Sequence, residues 1–243
     1  MKINYLVLFL FISSFFSFSH GQNNINSDFY RTWLIYEYYK DIESGKTPYE
    51  LYGKMKPIMQ LYFFEGHNKV LMGSFAEGLQ KDFVIKNFDT IIVNDDEIKF
   101  TIFLLKDNGE IKLMVDNGRV GIVFKGLDKK YYDRQGVDWF INDRFITGNY
   151  IAATDSSQLI TFSYDGSVAG IKNFNKYRIP LFQTGIPADF NTIFLQEEPI
   201  NGGAGILLHW GNYDGRLILY DLTDEEGPDD KIKSKYLELI KIN

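Results

Sequence analysis

The side chains able to do acid, base or metal chemistry in this chain are few and scattered. There are three histidines and no cysteine. His20 lies in an apolar N-terminal run, His67 in the turn-like Glu65-Gly66-His67-Asn68, and His209 beside Trp210 in an apolar stretch. Zinc centres draw on Cys and His at short, regular spacing, which these positions do not offer. A histidine-based hydrolase needs a nucleophile elbow such as Gly-x-Ser-x-Gly, and the sequence contains none. Gly202-Gly203-Ala204-Gly205 is glycine-rich but leads into a strand, whereas a phosphate loop opens a helix whose amides face the anion. Glu197-Glu198 and Asp95-Asp96-Glu97 are adjacent carboxylates. Neighbours on a strand point to opposite faces, so these pairs do not form the two-carboxylate cleft of a glycosidase. Asp224-Glu225-Glu226-Gly227-Pro228-Asp229-Asp230 offers oxygen ligands suited to calcium, but it fits no EF-hand spacing and reads as a solvated hairpin loop. The expectation is a non-enzymatic protein with no catalytic residue, no metal and no cofactor.

Composition narrows the setting. Met1 to Gly21 carries one basic residue, Lys2, then an apolar run from Tyr5 to Phe18 and a small-residue exit. That pattern is a secretory signal peptide over 1–21. A retained transmembrane helix would need about 20 apolar residues and a stop-transfer flank. Without cysteine there is no lipobox and no disulfide, so stability outside the cytoplasm rests on hydrophobic cores. The chain is expected to be exported to the periplasm or the extracellular space, soluble, not a lipoprotein, and without stable membrane insertion. Its formal net charge is −6 and it has no basic patch, so nucleic acid is not an expected partner.

The elements that must position any site are strands, written twice. Gln60-Leu61-Tyr62-Phe63-Phe64 lines up with Gln158-Leu159-Ile160-Thr161-Phe162, Phe88 to Asn94 with Phe190 to Gln196, and Leu104-Leu105 with Leu207-Leu208. The offset grows between apolar runs, as loop insertions would make it. Two units of roughly a hundred residues follow, too long a period for a solenoid. Asp107-Asn108-Gly109, Asp116-Asn117-Gly118, Tyr164-Asp165-Gly166 and Tyr213-Asp214-Gly215 are hairpin turns of the Asn-Gly or Asp-Gly kind. Between them the alternation predicts strands near 29–38, 58–65, 69–76, 81–86, 89–94, 98–106, 110–115 and 119–125. In the second unit it predicts 146–153, 158–163, 167–172, 176–182, 191–196, 205–210, 215–221 and 235–242. The fold class is all-β, two tandem antiparallel up-and-down β-barrels, because closure removes exposed sheet edges. A two-sheet sandwich is the rival arrangement. The units are 22–134 and 135–243, meeting near 127–144, where charged and turn-forming residues cluster.

The chain at this point resembles lipocalin-like domains, the small calycin-type barrels. The resemblance is carried by Thr32-Trp33 in one first strand, Gly148-Asn149-Tyr150 in the other, the strand-turn-strand from Gln158 to Ile171, and the closing strand Tyr236-Leu237-Glu238-Leu239-Ile240-Lys241. The family pattern is Gly-x-Trp; here Arg31 stands where Gly is expected, and Tyr150 replaces Trp. The first unit carries an insertion after its first strand, in which Thr47-Pro48-Tyr49-Glu50 forms a capping box and predicts a short helix over 48–55. In lipocalin-like barrels this connection covers the open mouth, so the resemblance makes 41–57 a lid; the alternative is a plug of ordinary core. The implied function is an exported binding protein for a small hydrophobic or lipid-like ligand. Its lining would be Trp33 and Ile35 from the first strand, Leu61 and Phe63 from the second, and Tyr49, Tyr52 and Met55 from the lid. The competing expectation is a protein-interaction module with filled barrels and a protein partner.

Overall fold

A computed structural model describes residues 25–51, 54, 56, 58–74, 78–94, 99–116, 118, 121–180, 191–197, 205–222 and 232–242. The signal segment, Tyr52, Met55, Asp95 to Glu97, Gly202 to Ala204 and the acidic run 224–230 lie outside these residues.

The first barrel comprises β1 (Thr32–Ile35), β2 (Gln60–Phe63), β3 (Lys69–Gly73), β4 (Gly78–Asn87), β5 (Thr90–Asn94), β6 (Lys99–Asp107), β7 (Glu110–Asp116) and β8 (Gly121–Gly126). Each strand pairs antiparallel with the next, and β8 returns to β1 to close the barrel. Register fixes one inward row: Trp33 opposite Leu61, Leu61 opposite Met72, Phe63 opposite Val70, Ile91 opposite Ile102, and Ile35 opposite Phe124. Alternation then sends Tyr62, Val84 and Ile92 outward. The turn at Asn108-Gly109 holds φ of 49° and 80°, the positive values that a two-residue hairpin twisting with its strands requires.

The second barrel comprises β9 (Gly148–Ala152), β10 (Asp155–Phe162), β11 (Val168–Ala169), β12 (Lys176–Arg178), β13 (Thr192–Gln196), β14 (Gly205–Tyr213), β15 (Arg216–Leu222) and β16 (Ile232–Ile242). It runs in the same sequential order, with β16 against β9. The seam between β11 and β12 is the thin part of the wall. One bridge, Ser167 with Lys176, and the bonds Val168 N–H to Asn175 O (3.0 Å) and Tyr177 N–H to Gly166 O (2.7 Å) join it. The expected strand 167–172 is accordingly shorter, because Gly170 at φ 87° turns the chain out of the sheet; of the strand expected over 176–182, β12 covers Lys176–Arg178, and residues 181–182 lie outside the described ones.

The duplication repeats at the level of single atoms. Trp33 Nε1–H donates to the Phe29 carbonyl at 3.0 Å, and Tyr150 Oη–H donates to the Ile146 carbonyl at 2.7 Å, each four residues back. Trp33 faces Leu61 as Tyr150 faces Ile160. Phe63 packs edge-to-face with Phe29 and Phe83, and Phe162 does so with Tyr150 and Tyr177. This equivalence corrects the register read from sequence: Leu61 corresponds to Ile160 and Phe63 to Phe162, one residue later than the Gln60–Gln158 match. Leu159, the residue that match set against Leu61, is 54% exposed. The third match slips as well, since Ile102 and Leu208 occupy equivalent places opposite Ile91 and Ile193.

Among the described residues three α-helices flank the sheets: α1 (Tyr36–Glu43), α2 (Pro48–Leu51) and α3 (Gly136–Phe145). The strand expected over 29–38 ends at Ile35, because Tyr38 and Ile42 are spaced to bury one helical face. The capping box of α2 is present: Thr47 N–H donates to Glu50 Oε2 at 2.7 Å and the Thr47 hydroxyl at 2.9 Å. The segment 127–144 contains α3, not turns alone. Phe140 meets Tyr39 and Tyr131 of the first half, while Phe145 meets Trp210 of the second. Val137, Phe140, Ile141 and Asn142 are all buried, so α3 is held by both barrels.

Candidate functional site

The residues expected to line a ligand cavity occupy two different environments. Trp33, Ile35, Leu61 and Phe63 point into the first barrel and are at most 2% exposed. A side chain bordering a void wide enough for water exposes surface to that void. Zero accessible surface at Trp33, Val70, Ile91, Ile102, Leu113 and Phe124 therefore excludes a water-sized void against any of them, as in a close-packed interior. Tyr49 on α2 is 42% exposed, and its N–H lies 3.4 Å from Asn191 Oδ1. Tyr52 and Met55 fall outside the described residues. A cavity of about 30 Å³ beside α1, lined by Ile35, Glu37, Tyr38, Asp41, Lys54 and Lys56, has room for about two waters. A small-molecule pocket takes about 300 Å³ or more. Toward the far rim the inward row loosens: Phe100 and Ile122 are half-buried and Leu79 is 63% exposed.

The outer face of the first barrel, at the Trp33 end, carries a different concentration of side chains. Tyr62 sits outward on β2 opposite Thr32, and two residues on, Phe64 meets it edge-to-face with ring centroids 5.1 Å apart. Beside them the linker that leaves β8 is fastened to β1. The Thr32 hydroxyl lies 2.6 Å from the Tyr131 carbonyl and 2.8 Å from the Asp133 carbonyl, and accepts the Asp133 N–H at 3.2 Å. This presents Tyr132, over whose ring the Arg31 guanidinium lies at 5.8 Å. Arg31 is ion-paired with Asp28 at 2.5 Å. Tyr30, Tyr62, Phe64 and Tyr132 are all half-buried.

Electrostatics on this face are set by carboxylates. The Tyr62 phenol is pushed above its ordinary range by burial first, then by Asp133 and Glu65. Tyr30 is pushed up by burial and by Glu65. Tyr132 is raised by burial, with Arg31 pulling the other way and Asp28 and Asp128 adding to the rise. All three tyrosines thus stay protonated at neutral pH, offering hydroxyl donors and apolar ring faces within a negative surround.

The second barrel shows what the fold alone requires at these places. With Trp33 equivalent to Tyr150 and Leu61 to Ile160, Thr32 corresponds to Asn149, Tyr62 to Thr161 and Phe64 to Ser163. There the outward pair is polar, and the Thr161 hydroxyl donates to Asn149 Oδ1 at 2.9 Å. None of Tyr30, Tyr62, Phe64 or Tyr132 stood out in a chain where 16% of residues are aromatic. The signal was nonetheless within reach. The one-residue slip set Tyr62 against Ile160 and Phe64 against Phe162, which made two surface aromatics look like repeated core.

The histidines are apart from this chemistry. His209, on the outer side of β14, is 9% exposed, stacks on Tyr220 with centroids 5.6 Å apart, and places Nδ1 2.9 Å from the Asn191 carbonyl. Since a carbonyl only accepts, Nδ1 carries the proton. His67 sits in the exposed turn after β2, its backbone N–H bonded to the Phe64 carbonyl at 3.1 Å. Among the described residues no three His, Cys, Asp or Glu side chains gather to hold a metal ion, and no helix is long and apolar enough to cross a membrane. No protein-family model matches the chain, and neither the curated proteins nor the solved structures contain a match to it.

Proposed function

We propose that this chain is an exported, non-enzymatic protein-interaction module of two lipocalin-like barrels, with recognition on the outer aromatic face of the first. The observation that carries the reading is the zero accessible surface of the inward residues Trp33, Val70, Ile91, Ile102, Leu113 and Phe124 of that barrel. A container for a ligand keeps a void, and small eight-stranded barrels filled by their own side chains serve instead as rigid scaffolds for their surfaces. Half-exposed tyrosines beside an arginine are the residue types that interfaces favour. The lipocalin-like assignment is supported by the sequential closed meander and by an aromatic in each first strand tied back to the preceding turn. Export is supported by the composition of residues 1–21, and mass spectrometry of the processed protein beginning near Gln22 tests it.

A second reading has one observation in its favour. Phe100, Ile122 and Leu79 continue the inward row to the far rim with apolar surface in reach of solvent, where a small hydrophobic or lipid-like molecule would seat. Titration with a fluorescent fatty-acid analogue separates the two. The interaction-module reading expects no saturable binding; stoichiometric binding, lost on replacing Phe100 with a charged residue, would move the assignment to a lipid-like ligand.

A further inference from the structure

We propose that the aromatic face of Tyr30, Tyr62, Phe64 and Tyr132 recognises an arginine-bearing segment of a protein partner. The proposal deepens the interaction-module reading and rests on it. Four observations lead to a guanidinium. Tyr62 and Phe64 stand outward on β2 with their rings in contact, the linker carrying Tyr132 is tied to Thr32 opposite Tyr62, and Tyr30 shares the Glu65 carboxylate with Tyr62; all four are half-buried, and planar cations bind over such rings. The charges that act on Tyr62 and Tyr30 are the carboxylates of Asp133 and Glu65, so a cation is favoured there and an anion repelled. Two cations of this face are ion-paired, Arg31 with Asp28 at 2.5 Å and Lys69 with Asp82 at 4.0 Å. Finally, Arg31 itself lies over the Tyr132 ring, an internal instance of the contact proposed for Tyr62. Stacking a guanidinium between aromatic faces while Glu65 and Asp133 accept its N–H groups uses both the planarity and the five donors of arginine. Lysine, with a compact and strongly hydrated charge, would bind the same place less well.

The second barrel supplies the control, because Thr161 and Ser163 stand where Tyr62 and Phe64 do. The experiment is fluorescence anisotropy of a labelled hexa-arginine peptide with the full processed chain, at about 0.15 M salt to screen long-range attraction. Hexalysine and hexaglutamate serve as comparators. Saturable one-to-one binding of hexa-arginine is expected, tighter than hexalysine, with none for hexaglutamate. The double substitution Tyr62→Thr with Phe64→Ser weakens it at least tenfold, and so does Glu65→Gln, an exposed position whose change leaves the melting temperature in place. Absence of hexa-arginine binding, equal binding of hexaglutamate, or unchanged binding by both variants overturns the proposal. The fatty-acid titration reports separately on the filled-barrel reading: binding there defeats the module, whereas failure with hexa-arginine alone defeats only the arginine partner.

Discussion

Replacing Phe63 by Ala separates a packed barrel from a container. Phe63 is 1% exposed and sits edge-to-face between Phe29 at 5.4 Å and Phe83 at 5.9 Å. Truncating a buried Phe costs about 3 to 5 kcal/mol, and each edge-to-face pair adds about 0.5 to 1.5. The expected loss is therefore about 4 to 8 kcal/mol, a large share of the 5 to 15 that holds a typical domain together. Urea denaturation followed by tryptophan fluorescence and far-ultraviolet circular dichroism measures it, with Phe63→Leu as a milder companion of about 1 to 2 kcal/mol. The equivalent change in the second barrel, Phe162→Ala, removes contacts to Tyr150 at 5.8 Å and Tyr177 at 5.0 Å, and a loss of similar size is expected. A loss below about 1.5 kcal/mol at Phe63 with the fold retained would refute the packing argument, since a site that tolerates deletion of a whole ring is not close-packed.

The remaining predictions concern joints and turns. At Gly136 an added Cβ would lie 1.9 Å from the Tyr131 carbonyl and 2.6 Å from the Thr32 hydroxyl, so Gly136→Ala must push α3 off the linker and is expected to cost about 3 kcal/mol by denaturant titration. At Gly109 nothing lies within 4 Å and φ is +80°, so Gly109→Ala is expected to cost about 1 to 2 kcal/mol through the backbone alone, with Gly109→Asn recovering part of it. Burial lowers the His209 imidazole pKa against the opposing pull of the Asn191 carbonyl. The unfolded chain therefore binds a proton first as pH falls below about 6.5, and this contribution to stability declines until the folded pKa is passed. Calorimetric melting at pH 7.5 and at about pH 5 should show a decline that His209→Asn reduces.

Strand order and closure were legible because hairpin chemistry is local: Asn108-Gly109 and Asp214-Gly215 take the positive φ values that their types favour, and sequential pairing leaves little choice of topology. The helices were less so, for different physical reasons. Thr47 to Glu50 announced α2 through its capping box, but Tyr36-Glu37-Tyr38-Tyr39 reads as strand by its aromatics until Ile42 supplies the second turn of a buried face. The apolar residues of α3 point in several directions because two barrels bury it, so no single stripe marks it as a helix. Register was the hardest inference. Gln60 and Gln158 match by identity, yet they are not in equivalent places, and a one-residue slip exchanges the inner face for the outer. That exchange also hid the candidate site, which lies on the outward positions of β2.

A tandem duplication carries its own control experiment. Both barrels keep the inward aromatics Trp33 and Tyr150, Phe63 and Phe162, and Trp33 and Tyr150 each donate to a carbonyl four residues back; such shared features are accounted for by closing and filling a barrel. The outward positions separate the copies. Thr161 and Ser163 show that a barrel of this register forms with small polar groups there, the Thr161 hydroxyl bonded to Asn149. Tyr62 and Phe64 are therefore not demanded by closure, and large apolar surface left facing water gains nothing for solubility. Tyr132 is brought beside Arg31 by the linker that leaves β8 and is anchored on Thr32. The aromatic face thus depends on one departure from symmetry, the outward rings of β2, and on the linker that follows β8. Loosening the linker through Thr32→Val should accordingly weaken peptide binding while leaving Tyr62 and Phe64 in place. Unaltered affinity in that variant would confine recognition to the β2 rings.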